Sequence, residues 1–308
     1  MRRDWATASV ASAAPRCCRP VCWRSSAPPP DFPGCRSSAS VAFDRPPTCG
    51  TTCGPGRRWS PSARPGLPTL GARNGSSEHW SSTVAELFVA LDLPDAPTAV
   101  ALLDLLPDRC PVKVGSVLMT RAGSGFVRSL VANGHPVFLD LKWHDIPNTV
   151  RGAVEAALDL GVSMVTVHAL GGPAMIEAAA KAAGDRLRVV AVTVLTSHTP
   201  AEFAAVTGRS GVVAGDEAAR LATMAMAAGA DGVVCSAEEL AAVVPAVRGG
   251  RVVVPGIRRA EDAVGDQARV ATPEAALAGG ATDLVVGRPI TSAADPAAAY
   301  LAFRQVFA

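Results

Sequence analysis

Two patterns of hydrophobic positions divide the chain. From about residue 84 to the C-terminus, short apolar runs alternate with Ala/Leu-rich stretches at helical spacing. The runs at 87–91, 112–114, 137–141, 164–168, 189–195, 232–235, 252–254 and 284–286 predict strands. The stretches at 97–106, 119–132, 147–160, 173–183, 216–228, 237–244, 272–278 and 296–306 predict the helices that follow them. The strand runs are Val/Ile/Leu-rich without polar alternation, which suits a parallel sheet buried on both faces. Eight such units over about 225 residues predict an α/β fold, a closed (β/α)8 TIM barrel spanning 83–308. A doubly wound open sheet is the competing architecture. No Gly-x-Gly-x-x-Gly follows the first strand, and eight even repeats favour closure.

The first 82 residues follow neither periodicity. Runs such as Ala27-Pro-Pro-Pro30 and 60–68 interrupt regular elements with Pro and Gly, so this segment is expected to be a disordered extension. It holds six of the eight cysteines and four of the five tryptophans, and it has no lysine. Eleven arginines face Asp4, Asp31, Asp44 and Glu78 within 1–80, about +7, so the remainder is near −5 although the whole chain is +2. The positive surplus forms no periodic basic face, and no nucleic-acid partner is expected. Three origins compete for the segment: a targeting sequence, a disulfide or zinc module, and an upstream stretch included by a misassigned start. The first is Arg/Ser-rich and acid-poor but in its signal-peptide form lacks an apolar run, and the second lacks histidines beside Cys18-x3-Cys22 and Cys49-x3-Cys53. No stretch is long and apolar enough to span a bilayer, so a soluble, cytoplasmic protein without a membrane partner is expected. Cys110 and Cys235 are expected to be reduced thiols in the barrel.

Charge changes the picture most at 137–149. A greasy strand ends in Asp140, Lys142 and Asp145 and runs into Pro147, which can open a helix. Residues two apart on a strand share a side, so Asp140 and Lys142 are expected to project together, with Asp145 in the loop beyond. A charged cap making one salt bridge is the plainer account of a lone Asp-x-Lys. The other strand ends weigh against it, because they supply Asp92, Lys113, His168, Thr196 with Ser197, Ser236, Pro255 to Arg258, and Gly287-Arg288. In a barrel these positions share the rim where active sites lie. The chain has only three lysines, Lys113, Lys142 and Lys181. Two of them stand at strand ends, where an ammonium can transfer a proton and a guanidinium cannot.

Asp92, Lys113, Asp140, Lys142 and Asp145 could alternate in space, each keeping its neighbour ionised. A further anion about 4 Å from one carboxylate would be repelled by about 4 kcal/mol at an effective dielectric of 20. Such a site suits a reaction that expels a carboxylate, with Lys142 facing the carbanion left behind. The loops after strands seven and eight commonly hold phosphate in this fold, and Arg288 there could clamp a dianion, with Gln267 adding a neutral hydrogen bond. His144 and His168 lack a further ligand at metal spacing and are expected to be hydrogen-bonded wall residues, with no metal site.

These residues resemble one family. Ala90-Leu-Asp92, Val112-Lys-Val-Gly115, Phe138-Leu-Asp-Leu-Lys-Trp-His-Asp-Ile-Pro-Asn-Thr149, Val167-His-Ala169, Val192-Thr-Val-Leu-Thr-Ser197, Asp231-Gly-Val-Val-Cys-Ser236, Pro255-Gly-Ile-Arg258, Gly265-Asp-Gln267 and Val286-Gly-Arg288 are similar to the motifs of bacterial orotidine 5'-phosphate decarboxylases, type 1 subfamily. The resemblance runs from about residue 84 to the C-terminus. It implies decarboxylation of orotidine 5'-phosphate to UMP and CO2 in pyrimidine biosynthesis, by a homodimer using no cofactor and no metal. It further implies that Lys142 protonates C6 within a network of Lys113, Asp140 and the partner's Asp145. Asp92 with Lys113 would hold the ribose, and Thr149 would reach into the partner's site. Thr196 would contact the pyrimidine, and Arg258, Gln267, Gly287 and Arg288 the phosphate. Two rivals stand beside this expectation: a metal-dependent sugar-phosphate lyase of the same superfamily, and a non-catalytic phosphate-ligand sensor.

Overall fold

A computed structural model describes residues 85–107, 109–259 and 271–307. The chain divides into two units, Met1–Ser77 and Glu78–Ala308, and the described residues belong to the second. The expected disordered extension over 1–82 and the role expected of Gln267 both lie outside the described residues.

Eight strands form the expected closed parallel barrel in sequence order: β1 (Glu86–Ala90), β2 (Val112–Gly115), β3 (Val137–Trp143), β4 (Met164–His168), β5 (Arg188–Val192), β6 (Gly232–Val234), β7 (Arg251–Val254) and β8 (Asp283–Val286). Closure is made by β8 on β1, in register from Glu86↔Asp283 to Val89↔Val286. Ten α-helices occur among the described residues: α1 (Ala96–Leu103), α2 (Ser116–Ala132), α3 (Pro147–Leu160), α4 (Pro173–Ala183), α5 (Pro200–Thr207), α6 (Ala214–Ala227), α7 (Leu240–Val247), α8 (Pro273–Ala278), α9 (Arg288–Thr291) and α10 (Pro296–Gln305).

Local chemistry sets many of the helix starts. Asp95, Thr199, Thr272 and Asp295 each stand just before a helix that carries proline in its first two positions. Their side chains accept backbone N–H groups of the first turn, at 2.9 Å from Thr98, 3.2 Å from Glu202, 3.2 Å from Ala275 and 2.9 Å from Ala298. Each such cap stabilises its helix by about 1 kcal/mol, and the proline supplies a φ already suited to the first turn.

Three departures from the pattern have physical causes. The apolar run at 189–195 outlasts its strand, because β5 ends at Val192. Val194 nevertheless stays buried, so apolarity there serves packing after pairing has stopped. The hydrophobic pattern predicts no element over α5, which is only eight residues long and whose start is marked by the Thr199 capping box rather than by an amphipathic face. The four-residue α9 is too short to show a period at all.

Phe88, Ala90, Phe138, Met164, Val190, Val253 and Val285 point inward and fill the barrel's middle, with Val234 packed against them. Phe88 and Phe138 meet edge to face at 5.4 Å. Below this plug, at the N-terminal ends of the strands, lies a second polar layer. Arg251 forks onto Asp283, with Nε donating to Oδ2 at 2.7 Å and Nη2 to Oδ1. Thr282 Oγ1 donates to the same Oδ2 at 2.8 Å. Glu86 is buried beside them, and burial pushes its carboxyl up to about 7 despite the nearby Arg251. Gly232 lets β6 approach the start of β7 closely, since a Cβ there would overlap the Arg251 main chain.

Candidate active site

The expected cluster forms at the C-terminal rim. Lys113, at the second position of β2, donates from Nζ to Asp92 Oδ1 at 2.9 Å and stands 3.5 Å from Asp140 Oδ2. Lys142 Nζ lies on both Asp140 oxygens, at 2.8 and 2.9 Å. The carboxylate thus sits between two ammonium groups. The Lys113 and Asp140 side chains are only 10% and 12% exposed, whereas Lys142 at 40% and Asp92 at 64% face outward. Gly115 keeps the space beside them clear, because a Cβ there would approach Asp92 Oδ1 and Lys113 Nζ to 3.2 and 3.3 Å.

Burial works against ionisation of Asp140, but Lys113, Lys142 and the hydrogen bonds it accepts outweigh that penalty. Its carboxyl is held below the ordinary aspartate value. Asp140 is therefore ionised at neutral pH, and a substrate anion set against it would be repelled.

Asp140 and Lys142 meet as expected, but not through the alternation of a regular strand. Between Leu139↔Val165 and Trp143↔Val167, four steps along β3 match two along β4. Such a bulge turns side chains out of the regular alternation. Lys142 adopts φ 51°, a left-handed backbone conformation uncommon for a residue with a side chain. Its N–H is given to Thr166 Oγ1 at 2.7 Å, and Thr166 Oγ1 donates in turn to Asp140 Oδ1 at 3.0 Å.

Thr166 was missed in the sequence, where it reads as one more residue of the β-prone run Met164-Val-Thr-Val-His168. The signal available was a hydroxyl at the centre of a strand buried on both faces, where it would need partners.

A cavity of about 450 Å³ opens onto the cluster. Asp92, Lys113, Asp140 and Lys142 line it, as do Thr196, Arg258, Gly287 and Arg288 on the rim after β5, β7 and β8. Arg258 is 7% exposed, and its Nη1 donates to the Ile257 carbonyl at 2.9 Å. The floor is apolar, formed by Ala90, Phe138, Val234, Val253 and Val285. Thr291, unremarked in the sequence, also faces the cavity from α9. Ser236 does not join it; it is 2% exposed and caps the turn that follows, its N–H donating to Glu239 at 3.0 Å.

Asp145 and Thr149 stand apart from this chain's own cluster. Asp145 Oδ1 accepts the Ile146 N–H at 2.6 Å, and Asp145 makes no ion pair among the described residues. Every residue from His144 to Thr149 is exposed, Ile146 to 66%. His144 and His168 stack at 5.3 Å. The Leu170 N–H donates to His168 Nδ1 at 3.3 Å, and burial, with His144, Lys142 and His198 nearby, pushes His168 down to about 4. His168 is therefore neutral at pH 7, and it does not line the cavity. Among the described residues no group of three or more His, Cys, Asp or Glu is arranged to hold a metal ion. Cys110 and Cys235 are buried and form no disulfide among the described residues, and burial raises the Cys235 thiol.

Comparison with known proteins bears on the whole barrel. Residues 85–303 match the model of the family described as orotidine 5'-phosphate decarboxylase / HUMPS family. An orotidine 5'-phosphate decarboxylase of Halorhodospira halophila is 56% identical over 218 residues, 69% of this chain and 92% of that protein. One from Alkalilimnicola ehrlichii is 52% identical over 222 residues, 70% of this chain and 93% of that protein. Among solved structures, the orotidine 5'-phosphate decarboxylase of Lactobacillus acidophilus is 36% identical with a TM-score of 0.65, covering 72% of this chain and 99% of its own. A match running the length of the barrel, to relatives covered almost end to end, shows that the chain belongs to the orotidine 5'-phosphate decarboxylase / HUMPS family.

Proposed function

We propose that this chain decarboxylates orotidine 5'-phosphate to UMP and CO2, using its own side chains without cofactor or metal. The observation that carries this is the Asp140 carboxylate clasped by Lys113 and Lys142 at the rim of a cavity whose far edge bears Arg258 and Arg288. The arginines and Gly287 would take the phosphate, with Gln267 joining them. Asp92 and Lys113 would hold the ribose hydroxyls and Thr196 the pyrimidine. Phosphate binding would then drive the substrate carboxylate toward Asp140, where repulsion of about 4 kcal/mol is available. As the bond from C6 to the carboxylate breaks, its electron pair stays on C6 and CO2 leaves over the apolar floor. The Lys142 ammonium donates a proton to C6, and Asp140 holds it in place.

The exposed run His144–Thr149 supports a homodimer in which Asp145 and Thr149 complete the partner's site. The test follows the loss of orotidine 5'-phosphate absorbance. Lys142→Ala should lower turnover roughly 10²–10⁴-fold or more while leaving binding of UMP in place. Turnover unchanged in that variant would overturn the catalytic assignment. Activity lost on chelation and restored by a divalent cation would favour the metal-dependent sugar-phosphate rival. Binding of UMP without any turnover by the unaltered chain would favour a sensor.

A further inference from the structure

We propose that Thr166 is a positioning residue for decarboxylation, a hydroxyl that locks the bulge of β3 so that Lys142 and Asp140 keep one fixed arrangement; this deepens the reading above and rests on it. Thr166 lies wholly buried at the third position of β4 and is absent from the cavity lining, so it acts through its neighbours. Each half of its hydroxyl is used. The oxygen accepts the Lys142 N–H at 2.7 Å, and the proton goes to Asp140 Oδ1 at 3.0 Å.

Both partners need this. The bulge has taken the Lys142 N–H out of the ladder between β3 and β4, and leaving this part-buried amide without an acceptor would be costly. The left-handed φ of Lys142 is a conformation that persists where surrounding groups over-determine it. The Thr166 oxygen ties down that turn of backbone from the neighbouring strand. On the carboxylate, Thr166 fixes the rotation of Asp140, so that Oδ2 faces Lys113 and both oxygens remain on Lys142. One hydroxyl thereby couples the main chain of the proposed proton donor to the carboxylate that orients its ammonium group.

The groups around Asp140 define what a pH measurement reads. Lys113 faces it from β2, Lys142 from β3 and Thr166 from β4, with Asp92 beyond Lys113 and His168 at the end of β4. Thr166 supplies an uncharged hydrogen bond that favours the ionised carboxylate. Its loss should move the Asp140 midpoint upward without altering any charge.

The experiment compares Thr166→Val, which keeps the shape and removes the hydroxyl, with Thr166→Ser, which keeps the hydroxyl. Kinetics on the full chain should show kcat falling roughly 10- to 100-fold in Thr166→Val, with KM nearly unchanged because the phosphate contacts lie elsewhere. Thr166→Ser should recover most of kcat. A second readout is independent of turnover. With three lysines in the chain, carbon-13 labelling at Cε gives three resonances, assignable by Lys→Arg replacement, and those of Lys113 and Lys142 report the acid titration of Asp140. That midpoint should rise in Thr166→Val and return in Thr166→Ser. Should Thr166→Val not accumulate as folded protein, Thr166→Ala is read in the same two ways.

An unmoved midpoint in the hydroxyl-less variant, equal behaviour of the Ser and Val variants, or a loss appearing in KM alone would overturn the inference. If the unaltered chain has no activity on orotidine 5'-phosphate yet the midpoint moves as stated, the proposed reaction fails while the positioning role stands.

Discussion

Lys142 reaches its partners only through a backbone conformation that residues with side chains seldom adopt, and the residues around it show what keeps it there. Asp140 holds its ammonium, Thr166 holds its amide, and the bulge of β3 permits both. Side chains of this kind were only partly legible in the sequence. Charges at the ends of greasy strands pointed to Asp92, Lys113, Asp140 and Lys142, because ionised groups stand out against an apolar background. Thr166 did not stand out, because threonine is ordinary in strands and its role depends on a bulge that periodicity cannot reveal.

At the other end of the barrel, Glu86 offers a prediction at the same scale. Its carboxyl is raised to about 7 by burial, so between the ordinary glutamate value and about 7 the folded state binds a proton that the unfolded chain has released. Stability from this group is full below about pH 4.5 and declines as pH rises to about 7. Glu86→Gln should therefore gain on the unaltered protein between pH 5 and pH 8, by on the order of 2–3 kcal/mol in denaturant midpoints. A stability difference constant across that range would show that Glu86 is ionised at little cost in the folded protein.

Among the elements, existence and order were readable while extents were not. The strand ends fall within two residues of the apolar runs except at β5, where burial of Val194 extends the run past the last ladder residue; β3 runs two residues beyond its apolar run, to Trp143, past Lys142. The polar tail of β3 resists an apolar count because it is the site itself. Close approach between elements is likewise invisible without coordinates. Gly232 reads in the sequence as the opening residue of an ordinary strand, yet β6 lies so near the Arg251 carbonyl that any Cβ must displace backbone. Gly232→Ala should accordingly force β6 from β7 at the N-terminal end and destabilise the barrel by about 1–3 kcal/mol or more in urea. The kcat of the folded protein should change little, since the cavity lies at the opposite end; an unchanged urea midpoint would mean that the strands separate freely.

For the molecule as a whole, the barrel could be inferred from eight even repeats and from the residues gathered on one rim. What one chain presents is less than the proposed site. Asp145 and Thr149 lie in an exposed run with Ile146 at its centre, beside their own cluster but not in it. On the proposed dimeric reading, Lys142→Ala and Asp145→Ala chains should each be nearly inactive alone. Mixed, unfolded and refolded together in equal amounts, they should recover about a quarter of full activity, because half the dimers are mixed and each mixed dimer holds one intact site of two. No recovery, with mixed dimers shown to form, would place Asp145 in its own chain's site.

The apolar plug of Phe88, Phe138 and their neighbours separates a charged layer at each mouth of the barrel. Along β1 the interval from Glu86 to Ala90 is four residues, roughly 13 Å, far enough for substitutions at the two ends to act almost independently. Heritable variation can thus reset the acid tolerance of the scaffold at one pole while the reaction at the other keeps its course, so adaptation to a new habitat need not pass through a catalytically impaired ancestor.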